Sequence, residues 1–381
     1  MLYNRGPRVR NVPKNHALSR LQQKKLKNND ENYLLSQEHL KSCFEHLRTT
    51  AGHAPGPDGL TYKSLNDETL RIKLGYLSSR IRKHTYQPGP TRDIKLLKED
   101  GSFRIIKIPN IMDRVASRAA LNALSPVLEP TFEDWSYGYR PKRSYRDIFA
   151  NIKNDYANGC RYIAKLDICK AFDNVNKRKL RTLISKLSLN SKLRNLVEAI
   201  ASKGLTEENE ENLLGLIQGD SLSGLLFNFY LHEFHDKLIT DNLNKHLRLY
   251  RYADDFIYLG NNINDVRSLM DKTIELLTNI GMFSKSSQTI DIESEKITVL
   301  GLTVGKIQPN IIISLSDLAF NKLIHKLDEA LTDPFPTSTQ IQIVRGWTGA
   351  TSVVTLMSEE RSKLVNILDD YEINIEHLNV Y

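Results

Sequence analysis

Three carboxylates stand out because their positions make little sense without a cation. Asp254 and Asp255 are adjacent in Tyr252-Ala253-Asp254-Asp255, with apolar stretches at 247–252 and 256–259 on either side, so both acids fall at a hairpin tip. Neighbouring carboxylates in a tight turn repel each other unless a positive charge sits beside them. Asp167 lies at the end of the mostly apolar run 162–168, followed only by Ile168, and an acid closing a buried strand has to ligate or pair. Brought together, Asp167, Asp254 and Asp255 offer hard oxygen donors suited to two Mg2+ ions roughly 3.5–4 Å apart, with Mn2+ as a substitute. Such ions would lower the pKa of an attacking hydroxyl and steady a triphosphate as pyrophosphate leaves. Taken singly, Asp254-Asp255 is an ordinary turn and Asp167 an ordinary helix cap. Their joint occurrence, each in a fitting element, favours metal chemistry.

The elements that must position these acids mix α and β. Residues 36–49 place Leu40, Cys43, Phe44 and Leu47 at helical spacing behind a Ser36 cap. The cluster Ala54-Pro55-Gly56-Pro57-Asp58-Gly59 marks a unit boundary. Short strands at 94–97 and 103–108 flank Glu99-Asp100-Gly101 as a hairpin, and 113–128 reads as a helix. Residues 225–238 have the spacing of a packed helix, and 297–304 close the series as a strand. Beyond them, 316–331, 340–353 and 358–371 predict a small helical bundle, with Phe320, Leu323, Ile324 and Leu327 on one face of the first. The expected class is α+β: a basic extension over 1–50, a mixed body over 51–305 and a helical unit over 306–381.

Composition narrows the partners. The chain of 381 residues carries a net charge of +8. Residues 1–27 hold eight basic and no acidic side chains, 51–150 hold 17 basic against 11 acidic, and 306–381 hold 6 against 10. A chain basic at the front suits a polyanion, although a solvated surface with a basic arm accounts for the charge equally well. No apolar run is long enough for a membrane span, and no secretory h-region is present. Cys43, Cys160 and Cys169 form no CxxC pair, which argues against structural zinc and points to a reducing cytoplasm.

With these residues in view, the sequence resembles the reverse transcriptases, in wording closest to the group II intron type. Tyr252-Ala253-Asp254-Asp255 resembles polymerase motif C, and Asp167-Ile168-Cys169-Lys170-Ala171-Phe172 resembles motif A. Further blocks follow in the family's order: Gly56 to Gly59, Lys98 to Arg104 with Ile108-Pro109 and Asp113-Arg114, Ser136 to Ser144, Gln218-Gly219 with Ser223 and Asn228, and Leu300-Gly301. The resemblance implies a right-hand polymerase fold, with fingers, an antiparallel palm sheet with helices, and a C-terminal helical thumb. It implies RNA-directed DNA synthesis from dNTPs on an RNA template, giving cDNA. Asp167, Asp254, Asp255 and the Ile168 carbonyl would hold the metals. Lys98 and Arg104 would grip the triphosphate, Gln218 and Gly219 would line the nascent pair, and Arg140 and Arg143 would touch template backbone. Leu300-Gly301 would form the primer grip. Phe172 would pack on the sugar and exclude a 2′-hydroxyl. As plain structure, these are exposed hairpin cations, loop residues and a core phenylalanine.

Departures bear on the subtype. Motif B has Ser223-Gly224 where the family usually has Ser-Pro, Leu96-Leu97-Lys98 replaces Ile-Pro-Lys, Arg104-Ile105 replaces Arg-Pro, and Gln288 stands at the motif D lysine, with Lys285 three residues earlier. The expectation is a stand-alone, defence-associated (anti-phage) enzyme copying a structured non-coding RNA, with homo-oligomerisation open. The competing readings are an RNA-dependent RNA polymerase, a splicing cofactor or maturase of a group II intron, and a diversity-generating or retron reverse transcriptase.

Overall fold

After a short helical turn at Glu31–Leu34, helix α1 (Gln37–Thr50) begins where a polar oxygen meets an orphan amide: Ser36 Oγ accepts from His39 N at 3.1 Å, and Leu40, Cys43, Phe44 and Leu47 are buried behind it. In this computed structural model the described residues are 31–97, 103–203, 213–243, 246–307, 310–331, 336–350, 354 and 358–373. The basic stretch 1–27 and Lys98 lie outside them. Asn66 caps α2 (Asp67–Arg82) in the same way. Strands β1 (Thr91–Leu97) and β2 (Phe103–Pro109) form the expected hairpin, in register from Thr91↔Pro109 to Leu97↔Phe103. The chain then turns directly into α3 (Ile111–Leu128), whose Val115, Ala116, Ala119, Ala120 and Leu124 face the core.

The palm is a four-stranded antiparallel sheet in the order β4-β5-β3-β6, made of β3 (Tyr162–Ile168), β4 (Leu247–Tyr252), β5 (Asp255–Gly260) and β6 (Ser284–Asp291). Period-two alternation sends its side chains into two cores. Phe256 and Tyr258 join the α1–α3 side, while Ile257 and Leu259 join the side of α4 (Tyr145–Ala157) and the C-terminal helices. Helices α5 (Lys177–Ser185), α6 (Ser191–Ala201), α7 (Ser223–Leu231) and α8 (Ile263–Thr278) complete the body, with α8 lying across β3, β5 and β6.

Two expectations need correction. The strand expected over 297–304 is a hairpin, β7 (Ile297–Val299) and β8 (Leu302–Ile307), turned by Leu300-Gly301, and β9 (Asn310–Leu315) adds a third strand. The division drawn at 305 therefore falls inside β8. The helix expected over 225–238 is not continuous α: α7 passes at His232 into a π turn through Asp236 before Lys237–Ile239 resumes. Among the described residues three helices follow β9, namely α9 (Asp317–Ala330), α10 (Pro336–Ala350) and α11 (Ser358–Asp370). Among the described residues no helix is long and apolar enough to cross a membrane.

Candidate active site

The three acids meet at one end of the palm sheet. Asp167, the next-to-last residue of β3, pairs directly with Asp255, the first residue of β5. Asp254 precedes it in the two-residue turn after Tyr252, and is 8% exposed. Ile168 N donates to the Asp254 carbonyl at 3.3 Å, tying the end of β3 to the turn. Burial, then the charges of Asp254 and Asp167, push the Asp255 carboxyl well above the usual carboxylate range. Bringing a cation to these oxygens would reverse that shift. Among the described residues, no three His, Cys, Asp or Glu side chains close into a ready-made metal cage. What the trio offers is a set of hard carboxylate oxygens, the donor chemistry that suits a divalent cation completing its shell with other ligands. The donor set fits the ions.

A buried cation holds the turn in shape. Arg251 is 0% exposed and forks onto Asp236, with Nε at 3.2 Å from Oδ1 and Nη2 at 2.5 Å from Oδ2. Its Nη1 donates to Asn228 Oδ1 at 2.9 Å and to the Ala253 carbonyl at 3.1 Å. Ala253 has φ +59°, a conformation L-residues take at a cost, so the donor to its carbonyl helps maintain a strained turn. Burial alone would raise the Asp236 pKa, but the Arg251 guanidinium and the His235 hydrogen bond outweigh it and bring the carboxyl down to about 2. The π turn carries both Asp236 and His235, whose Nδ1 donates to Asp236 Oδ1 at 2.8 Å.

The segment before α4 is clamped against the same turn. Arg251 N donates to Trp135 O, and Tyr137 N donates to Arg251 O. Gly138 lies so close that an added Cβ would collide with the Ala253 backbone nitrogen, and its carbonyl accepts from Asn228 Nδ2 at 2.6 Å. Phe172 stacks on Phe227 with centroids 4.6 Å apart and meets the Tyr139 ring edge-on at 5.8 Å. Gln218 Nε2 donates to Asp173 Oδ1 at 3.2 Å, and Gly219 takes φ +102° with its α-carbon face toward Ile106 and Lys107 of β2. The motif B loop is thus suspended between motif A and the fingers hairpin.

Residues 96–304 match the family of reverse transcriptases (RNA-dependent DNA polymerases). The chain belongs to that family. It is 29% identical over 210 residues to protein YkfC of Escherichia coli (strain K12), covering 52% of this chain and 55% of that one. It is 31% identical over 188 residues to the group II intron-encoded protein LtrA of Lactococcus lactis subsp. cremoris, covering 48% of this chain and 31% of that one. The chain therefore spans about half or less of these relatives, and it is similar to the group II intron type of reverse transcriptase. Among solved structures, apo telomerase from Candida tropicalis superposes with a TM-score of 0.48 at 15% identity, covering 74% of this chain and 59% of that one.

Other reverse-transcriptase residues find mixed placements. Arg140 is 7% exposed, and its guanidinium donates to Glu129 Oε1 and to the Glu133 and Ser136 carbonyls at 2.6–3.0 Å. Arg143 is partly exposed and pairs with Asp134. Arg104 sits in β2 opposite Leu96. Leu300, at φ +48°, and Gly301, at φ +81°, form the β7–β8 turn. Gln288 lies opposite Lys165, away from the acids, whereas Lys285 falls where β6 breaks register opposite Asp167 and Ile168.

Sequence reasoning missed Arg251, Asp236 and Tyr139. The first left a signal: Leu247, Leu249 and Arg251 share one face of β4, and a cation on a core-facing position requires a buried acid.

Proposed function

We propose that the chain is an RNA-directed DNA polymerase, extending a primer by nucleotidyl transfer with two divalent ions, Mg2+ or in its place Mn2+, held by Asp167, Asp254, Asp255 and the Ile168 carbonyl. The observation that carries this reading is the register of Asp167 against Asp255, with Asp254 one residue away and Asp255 destabilised in its charged form. Bound there, the ions would supply Lewis-acid activation of a primer 3′-hydroxyl and neutralise charge on the triphosphate. The protein's own parts do the positioning. The Arg251 fork holds the turn, Gly219 lets the backbone come close to a nascent pair, and Phe172 walls the sugar side. Lys98 and Arg104 of the fingers hairpin grip the triphosphate, Arg143 meets template phosphate, and Leu300-Gly301 steadies the primer end. Lys285, placed by the β6 irregularity beside Asp167, takes the proton-donor role that Gln288 cannot fill.

The template in this proposal is a dedicated structured RNA and the setting is antiviral defence. Ser223-Gly224 at motif B, rather than the Ser-Gln of diversity-generating enzymes, supports that choice. The test is to purify the wild type and the Asp254→Ala/Asp255→Ala variant, sequence the nucleic acid each retains, and assay primer extension on RNA. One dominant RNA with complementary DNA in the wild type only is expected. DNA made equally by both variants refutes the site, and RNA without DNA in either moves the chain to the RNA-binding cofactor class.

A further inference from the structure

The ring that motif A offers as a sugar gate is mostly covered. Phe172 is 8% exposed, its face on Phe227 and its flank against Tyr139. Tyr139 is 39% exposed, so at this corner of the site the larger accessible aromatic surface belongs to Tyr139. Its backbone has φ +58°, an unfavourable state for an aromatic residue, and both neighbours are locked. Gly138 is wedged on the Ala253 backbone and bonded by Asn228, and Arg140 is buried among four internal acceptors. The ring also explains a sequence departure. An added Cβ on Gly224 would lie 2.6 Å from Tyr139 Cγ and 2.7 Å from its Cδ1, so the proline usual there has no room. Glycine at 224 and tyrosine at 139 are one packing solution, set between the catalytic turn, motif A and the start of α7.

We propose that Tyr139 is a specificity-determining residue: its ring forms the exposed wall of the sugar pocket, holds Phe172 in place, and excludes a ribonucleotide 2′-hydroxyl. This rests on the polymerase reading above. Removing the wall opens space for the hydroxyl without touching the metal-binding acids.

The test measures incorporation of each ribonucleotide against its deoxyribonucleotide on an RNA template, with thermal unfolding as the folding control. Tyr139→Ala should raise the ribonucleotide-to-deoxyribonucleotide ratio about tenfold or more, within the roughly 10–200-fold an apolar pocket wall supplies. Tyr139→Phe, which keeps the ring, should leave the ratio unchanged. Gly224→Ala, which displaces the ring from behind, should raise it as well, and keeps the test open if Tyr139→Ala folds poorly. A wild type that makes DNA, with Tyr139→Ala and Gly224→Ala both retaining its ratio, overturns this proposal alone. A wild type that makes no DNA on any primed template overturns the polymerase reading and this one with it.

Discussion

Replacing Arg251 with alanine would strip a fully buried cation from four acceptors at once: both Asp236 oxygens, Asn228 Oδ1 and the Ala253 carbonyl. Breaking a buried ion pair from one side leaves an uncompensated charge and costs about 3–5 kcal/mol. Taking ~4 kcal/mol, and about 2–4 °C per kcal/mol for a large domain, Tm should fall by roughly 8–16 °C. The effect should be full at neutral pH. Asp236 is held at about 2 against an ordinary 3.8, so the stability it lends is complete above the ordinary value and disappears as pH falls from there toward 2. The double variant Arg251→Met/Asp236→Leu removes both charges and should recover most of the lost Tm, because apolar residues of similar volume replace such pairs at little cost. It should not recover DNA synthesis, since the Ala253 carbonyl still lacks its donor and the turn bearing Asp254 and Asp255 is no longer held. Thermal unfolding by circular dichroism and primer extension well below both transitions separate these effects. A single variant melting within 2 °C of wild type, or a double variant with wild-type synthesis, would refute the reasoning.

Three further outcomes follow from the same geometry. Asp255→Asn should raise the Tm of the metal-free protein at neutral pH while abolishing synthesis. Its raised carboxyl pKa means that folding favours the protonated form, so the wild type should gain stability as pH falls through that raised value toward 3.8. The Asn variant should lack that gain, and Mg2+ should stabilise the wild type but not the variant; an unchanged Tm would count against the crowded trio. Phe172→Ala should increase ribonucleotide use and cost about 3–5 kcal/mol of stability, because the ring is stacked in the core on Phe227; unaltered sugar selectivity would show that Phe172 is core alone. Leu300→Asn should stabilise the β7–β8 turn by about 1 kcal/mol, since asparagine accepts positive φ better than leucine, yet lower extension if the leucine touches primer. Denaturant unfolding paired with single-turnover extension reads both.

Much of the site was legible in the sequence because its signals are local. Adjacent acids between two apolar strands can only sit at a hairpin tip, and the run ending in Asp167 has the alternation of a buried strand. Ser36 before helical spacing starts a helix wherever it occurs. What only the tertiary structure decided depends on partners far along the chain. Strand β6 begins Ser284-Lys285-Ser286-Ser287-Gln288, with no apolar alternation to reveal it, and becomes a strand because the edge of β3 supplies its hydrogen bonds. Arg140 and Arg251 are chemically the same residue, and their type alone assigned neither: one is consumed by Glu129 and by carbonyls a few residues away, the other by Asp236 across the palm. The placement of Tyr139 against Gly224 and Phe172 joins three separated segments. Local pattern determines which residues turn, alternate or cap, because those preferences are set by neighbours in sequence. Which buried charge finds which acceptor is set by packing, because the cost of burying a charge is recovered only by the groups the fold brings to it.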